Sequence, residues 1–268
     1  IYHFGDISGP YAPITAPIAT AAADFVSYCK ENNITVAGVP IDTTFRDSGG
    51  KLDTCLSAYE DYRVATPKPM VIFTYGSAES QALHDRFIED EIVNFTMSPS
   101  PACVYPPGYT FAVYITYADS AGALVDWLAD DWGPKTGVKP KLAILTWAGA
   151  FGEAIRVPEF RDHCREKGVE LVAEETFGMR DVDVTTQLTK IKAAGANWVI
   201  SNIVSGGTAI MDKCADAMGM LSHDPWDSTP GKIHTMATMP GTGMDTVRLA
   251  GPASEGRIGI LSNASFTT

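Results

Sequence analysis

Residues 70–78 read Met-Val-Ile-Phe-Thr-Tyr-Gly-Ser-Ala, and this short stretch decides the fold. The run 70–74 is apolar, rich in β-branched and aromatic residues, and opened by Pro69. It is the length of a buried strand and too short for a helix. Gly76 and Ser77 then supply a tight turn and a helix-capping side chain. The pattern recurs along the chain. Further apolar runs lie at 34–41, 92–97, 142–147, 169–173, 198–203, 233–237 and 257–261. Between them lie amphipathic segments at 13–32, 48–63, 119–132, 152–167, 184–194 and 207–218. The first has Pro13 and Pro17 near its start and Ala21, Ala22, Phe25, Val26 and Cys29 on one face, and it stops at Asn32-Asn33. Later segments stop at Gly133-Pro134, Gly168, Gly195 and Gly219, and Asp183 is a candidate N-cap. Strand and helix in alternation predict parallel sheets with right-handed crossovers, hence an α/β protein.

The alternation breaks once, at 98–117, which is Pro-rich and then aromatic. A loop there, followed by a strand leaving the first sheet, divides the chain into two α/β lobes. A second crossing is expected near 255–261. The expected division is 1–117 with 257–268 in lobe 1, and 118–256 in lobe 2.

The chain has 268 residues, 32 acidic and 20 basic, for a net charge of −12. Hydrophobic residues make up 45% and charged residues 19%, which excludes wholesale disorder. No Lys/Arg cluster interrupts the acidity, which argues against a nucleic-acid or anionic-membrane surface. Two long uncharged stretches are not membrane spans. Residues 92–118 hold Pro99, Pro101, Pro106 and Pro107, and residues 193–211 hold Asn197, Asn202 and Gly206-Gly207. No charged n-region with an apolar core opens the chain, and it begins at Ile1, so a cytosolic protein or a mature form freed of its signal is expected. Cys29, Cys55, Cys103, Cys164 and Cys214 are odd in number and form no CxxC, so they read as buried small hydrophobes with at most one disulfide. The five histidines show no metal-ligand spacing. There is no GxSxG elbow, P-loop or complete GxGxxG, so an enzyme is the weakest reading and no cofactor is expected.

Several motifs, in order, carry a resemblance. Ser8-Gly9-Pro10-Tyr11 follows a first strand, and Asp42 ends a second, before Ser48-Gly49-Gly50-Lys51. Gly76-Ser77-Ala78 follows the third strand and Ser98-Pro99-Ser100-Pro101-Ala102 the fourth. Phe151-Gly152-Glu153 opens a helix of the second lobe. Asp183 leads to Leu188-Thr189-Lys190-Ile191-Lys192-Ala193-Ala194-Gly195-Ala196-Asn197, and Ala250-Gly251 with Glu255-Gly256 precedes the return crossing. Over nearly its whole length the chain resembles type I periplasmic binding proteins, in the leucine/isoleucine/valine-binding branch that feeds ABC importers. The resemblance implies two doubly wound parallel-sheet lobes joined by a hinge, with further C-terminal elements of lobe 1 apparently absent. It also implies a periplasmic location, a membrane permease as partner, a monomer, and a small carboxylate held in an interlobe cleft without chemistry. A sensory ligand-binding module or an amide or amino-acid receptor of the same fold is the alternative.

By the same resemblance, Ser77 and Ser100 offer hydroxyls to the ligand carboxylate. Ala102 stands where family members have Thr and keeps only its backbone N–H. In open α/β sheets ligands bind beyond the strand C-termini, which adds Tyr11, Tyr75, Ser98 and Ser205. Phe151 stands where the family has Tyr, and Trp147 lies beside it. Each has a plainer role available, as cap, turn or core. Met239 is the informative departure, because it stands where amino-acid binders carry the Glu that pairs with an ammonium. Residues 237–242 contain no acid, and the nearest alternatives are Asp245 and Asp181. A buried ammonium without a counter-charge is costly. The expected ligand is therefore an aromatic acid, a 2-oxo acid or, with another acid in the Glu's role, a branched-chain amino acid.

Overall fold

The computed structural model describes residues 1–261. The strands are β1 (Tyr2–Gly5), β2 (Thr35–Val36), β3 (Val39–Pro40), β4 (Thr44–Asp47), β5 (Val71–Thr74), β6 (Val93–Thr96), β7 (Thr110–Ala112), β8 (Lys141–Trp147), β9 (Glu170–Phe177), β10 (Trp198–Ser201), β11 (His234–Ala237) and β12 (Ile258–Gly259). The helices are α1 (Ala12–Glu31), α2 (Leu52–Arg63), α3 (Ser77–Ala82), α4 (His84–Glu89), α5 (Pro101–Val104), α6 (Tyr117–Trp127), α7 (Gly133–Thr136), α8 (Ala150–Glu153), α9 (Pro158–Glu166), α10 (Thr185–Ala193), α11 (Ser205–Ala217), α12 (Met239–Thr242) and α13 (Met244–Ala250). A π-helical turn, Leu128–Trp132, continues α6. No described helix is long and apolar enough to cross a membrane.

The chain divides into two units, one spanning Ile1–Tyr114 and the other beginning at Ile115. Each is built on one parallel sheet, as the alternation predicts. The first sheet runs β4-β1-β5-β6-β7 and the second β12-β11-β10-β8-β9. Because every pairing within them is parallel, all strand C-termini of a sheet lie on one edge. That edge carries the candidate residues.

In the first unit one sheet face is closed by α2, α3 and α4. Phe4 and Ile72 pack there against Cys55, Ala58, Tyr59, Tyr62, Leu83 and Phe87, all buried. The other face is far less covered. Phe73 stacks on Phe95 with ring centroids 5.6 Å apart, Phe95 meets Phe111 at 5.9 Å, and Phe111 is half exposed. Of the 20 residues of α1, only Thr15, Val26 and Cys29 are buried, while Phe25 and Tyr28 stand out in solvent. In the second unit Leu142, Ile144, Leu145, Trp132 and Trp198 are fully buried. His234 stacks on Trp198 at 4.5 Å, and Trp132 donates its Nε1–H to Pro225 O at 2.7 Å.

Three expectations are corrected. The run 34–41 is not a sheet strand. It forms the antiparallel hairpin β2–β3, exposed throughout, and the partner of β1 is the more polar β4. The crossing expected to return residues 257–268 to the first lobe instead begins in the second sheet, where Ile258 and Gly259 pair with Met236 and Ala237. Residues 262–268 of that expectation lie outside the described residues. No disulfide forms: all five cysteines are free, four of them buried.

Candidate functional site

On the strand C-terminal edge of the first unit, each turn is organised by a side chain acting on backbone amides. The Asp6 carboxylate, just past β1, accepts from the amides of Ser8 at 3.2 Å and Tyr11 at 2.8 Å, and from that of Gly9. This fixes the Ser8-Gly9-Pro10 turn and starts α1. Tyr11 is half-buried, and burial together with the nearby Glu79 and Asp6 charges pushes its hydroxyl up to about 12. Past β5, the buried Glu79 reaches back from the first turn of α3 to the Gly76 amide. Burial, reinforced by Asp6, raises its pKa toward the neutral acid.

The three candidate serines come together, buried, at this edge. Ser77 Oγ donates to Ser98 O at 3.0 Å and lies 2.9 Å from Ser98 Oγ. Ser100 Oγ accepts from Gln81 Nε2 at 2.7 Å and lies 3.0 Å from Cys103 Sγ. Beneath them Ser80 Oγ donates to Gly76 O at 2.7 Å and lies 2.6 Å from Thr74 Oγ1 and 2.9 Å from Thr96 Oγ1. Serine hydroxyls thus join the ends of β5 and β6 to α3. Ala102 is exposed at the start of α5. Among the described residues no acceptor is paired with the backbone N–H of Ser77, Ala78 or Ala102.

Tyr75 lies against β1. It is 5% exposed, its ring lies over Gly5, and its hydroxyl is 2.7 Å from His3 Nδ1. A Cβ on Gly5 would sit 2.2 Å from that ring, so glycine is required there. Burial drives the His3 pKa down to about 4, so the imidazole is neutral at physiological pH.

On the corresponding edge of the second unit, Trp147 ends β8 and Phe151 lies in α8, both buried, with ring centroids 6.4 Å apart. Tyr117 meets Phe151 edge-on at 5.2 Å. Gly152 lets the helix fold back onto the strand, because a Cβ there would sit 1.8 Å from Trp147 O. Asn202 Nδ2 donates to Phe151 O at 2.6 Å, and its Oδ1 accepts from Thr238 Oγ1 at 2.6 Å. These two buried side chains bind the ends of β10 and β11 to α8. Ser205 and Met239 are the first residues of α11 and α12, both half-buried.

Both acids considered in the Glu's place already have a partner. Asp181 Oδ2 accepts from the Gly178 amide at 2.7 Å, and Asp245 pairs with Arg248 at 3.3 Å. No group of three or more His, Cys, Asp or Glu capable of holding a metal occurs among the described residues.

Asp6, Glu79, Asn202 and Thr238 were not singled out by sequence. Glu79 was readable, since an acid at the third helical position after a turn is the position that caps backward. Asn202 was readable as a polar residue inside an apolar run. The Asp6 role follows only from the turn it closes.

A family model described as "Periplasmic binding protein" matches residues 3–256. No curated protein sequence matches the chain. Solved structures do. A branched-chain amino acid ABC transporter protein from Thermus thermophilus with bound valine is 24% identical at a TM-score of 0.83, over 96% of this chain and 63% of its own. A fatty acid ABC transporter substrate-binding protein from Thermomonospora curvata is 19% identical at 0.79, over 96% and 62%. An ABC transporter substrate-binding protein from Aeropyrum pernix is 18% identical at 0.80, over 97% and 64%. The chain therefore spans less than two thirds of the length of these structures. Two parallel-sheet units in sequence, and a family match running almost from end to end of the described residues, have one reading: the chain belongs to the periplasmic binding protein family.

Proposed function

We propose that this chain is the solute-capturing component of an ABC importer, working outside the cytoplasm and delivering its solute to a membrane permease. The solute is a small carboxylate met at a strand C-terminal edge, and it is bound rather than converted. The family match supports this reading at its coarsest level. The observation that carries it further is the set of open backbone donors at Ser77, Ala78 and Ala102, beside buried serines that hold them in place. Backbone amides without an acceptor suit a carboxylate. In this reading Ser77 and Ser100 act first as braces for the amides. Ser98, Tyr11 and Ser205 flank the edges, and Phe151 and Trp147 back the apolar side. Tyr75, turned onto His3, contributes shape to the sheet face. Met239 leaves the far end without an acid, which disfavours an ammonium.

A melting-temperature screen tests this. A solute binding only the folded state stabilises it by about 2.7 kcal/mol at a hundredfold excess over its Kd. Phenylacetate, 4-methyl-2-oxopentanoate and leucine are compared at equal concentration. The two acids without an amine are expected to raise the melt most. A larger shift with leucine would overturn the Met239 argument, and no shift with any acid would overturn the carboxylate reading.

A further inference from the structure

Glu79 is a buried carboxyl, only 8% exposed, and no cation pairs with it among the described residues. Its own turn holds it. Oε1 accepts from the Gly76 amide, and a Cβ on Gly76 would sit 2.4 Å from Oε2, so the carboxyl lies against the residue before Ser77. A second carboxylate stands beside this turn. Phe4 is opposite Thr74 in the sheet, so Asp6 and Gly76 each lie two residues beyond one rung of adjacent strands. Asp6 is buried too, accepts from the amides of Ser8, Gly9 and Tyr11, and has no ion pair among the described residues. The elements packed around α3 bring Tyr11, Cys55, Tyr75, His84 and Cys103 to the same region. Its hydroxyls and thiols stay protonated near neutral pH, because burial pushes Tyr11 and Cys55 up to about 12 and raises Tyr75 and Cys103. His84 Nδ1 lies 3.1 Å from Cys103 O. Lys51, Asp53, Asp85 and Glu89 are exposed, and Arg86 pairs with Glu60. A solute carboxylate at this edge is therefore a third anion beside two buried ones, and like charges away from water repel strongly. Burial, reinforced by Asp6, already raises the Glu79 pKa, which makes Glu79 the member that yields.

We propose that Glu79 is a positioning residue that couples solute capture to protonation: it holds the Gly76 amide as a neutral acid, and each solute carboxylate that binds at this edge is accompanied by one proton taken from solvent onto the Glu79 carboxylate. The proposal rests on the carboxylate reading above and names the regulation of that same site. The direction of the pH dependence follows. At a pH where Glu79 of the free chain is already neutral, capture draws no proton and affinity is constant. At higher pH the proton must be drawn from solvent, so affinity falls as the pH rises.

The test is calorimetric titration of the full chain from about pH 6 to about pH 9, where small carboxylic acids are ionised throughout. The probe is whichever of phenylacetate and 4-methyl-2-oxopentanoate gives the larger melting shift. Two buffers of different ionisation enthalpy at each pH count the protons exchanged. Uptake is expected to rise with pH toward about one proton per solute, with Kd weakening by up to about tenfold per pH unit. In Glu79→Gln the uptake should fall close to zero and Kd should stay near the wild-type value of the acidic end. Glu79→Asp keeps an acid and should keep a pH dependence with a shifted midpoint. The proton count on the wild type needs no variant to fold. Acid binding by the wild type with a constant Kd and no uptake overturns the proposal and leaves the carboxylate reading intact. Uptake undiminished in Glu79→Gln overturns it equally, since the proton then belongs to another group. Failure of both acids to bind the wild type at any pH removes the carboxylate reading, and this proposal with it.

Discussion

Ser77 Oγ donates to Ser98 O at 3.0 Å while lying 2.9 Å from Ser98 Oγ, so two turns 21 residues apart are joined by a pair of buried hydroxyls. The bond belongs to the protein before any solute arrives. Ser77→Ala is therefore expected to act twice. It should cost about 0.5–1.5 kcal/mol of stability for the lost hydrogen bond. It should also weaken acid binding by releasing the amides that the bond positions, with far-UV circular dichroism unchanged. Denaturant melts and calorimetry on one preparation separate the two effects. Full stability together with full affinity would show that the brace is idle.

Arg257 and Asp212 form a second such relationship, a 2.6 Å ion pair with side chains only 5% and 0% exposed. It fixes the entry to β12 against α11. Removing one partner of a buried pair leaves an uncompensated charge, so Arg257→Met is expected to cost about 3–5 kcal/mol. Burial outweighs the arginine and pushes Asp212 up to about 6. The native carboxyl thus holds its proton at a pH where the unfolded one has lost it. Its stabilising contribution is complete in acid and is lost as the pH rises through about 6. In Arg257→Met the cation is gone and the pKa climbs further, so the stability deficit should grow from mildly acidic to mildly alkaline pH. A deficit independent of pH would contradict the buried-charge account.

Glu79 allows a cleaner sign test. Burial and the neighbouring Asp6 raise its pKa above the ordinary carboxylate value, so its ionised form opposes folding above that range. Glu79→Gln keeps an oxygen for the Gly76 amide and removes the charge. It should melt higher than the wild type at neutral pH, with the gain vanishing as the pH falls below the usual carboxylate range. A variant less stable at every pH would show that the charged carboxylate is needed for the turn.

The Phe73, Phe95 and Phe111 ladder is an uncovered apolar face of the first sheet among the described residues. Exposed apolar surface of this kind binds apolar dyes. The native chain should enhance the fluorescence of anilinonaphthalene sulfonate, and Phe111→Ser should reduce the signal severalfold without lowering the far-UV signal. A native chain silent to the dye would show that the face is covered in solution.

Periodicity and glycine stops made α1, α2, α10 and α11 legible, because these signals are local to the chain. The run 34–41 was misread, and the strand at 44–47 missed, for a physical reason. Val36 and Val39 are apolar yet stand 63% and 62% exposed on a hairpin. Arg46, in the true edge strand, is polar and pairs with Asp61. Apolar content predicts burial only when a sheet is there to receive it. β9 runs beyond 169–173 because Arg156 and Arg161 neutralise Glu174, and Lys190 pairs with Glu175, charges that look like a strand end in sequence. At the site, the grouping of Ser77, Ser98 and Ser100 was legible because each follows a parallel strand. The partners of their hydroxyls were not, since Ser98 and Gln81 reach them across the chain.

The most direct test of the account is capture without conversion. The acid giving the largest melting shift is titrated into the full chain by calorimetry, the complex is then denatured, and the released solute is weighed by mass spectrometry. The expected result is saturable binding of one solute per chain, with the solute recovered at its original mass after prolonged incubation. Recovery of a compound of altered mass, or the absence of saturable binding for every acid, would contradict a solute-capturing role.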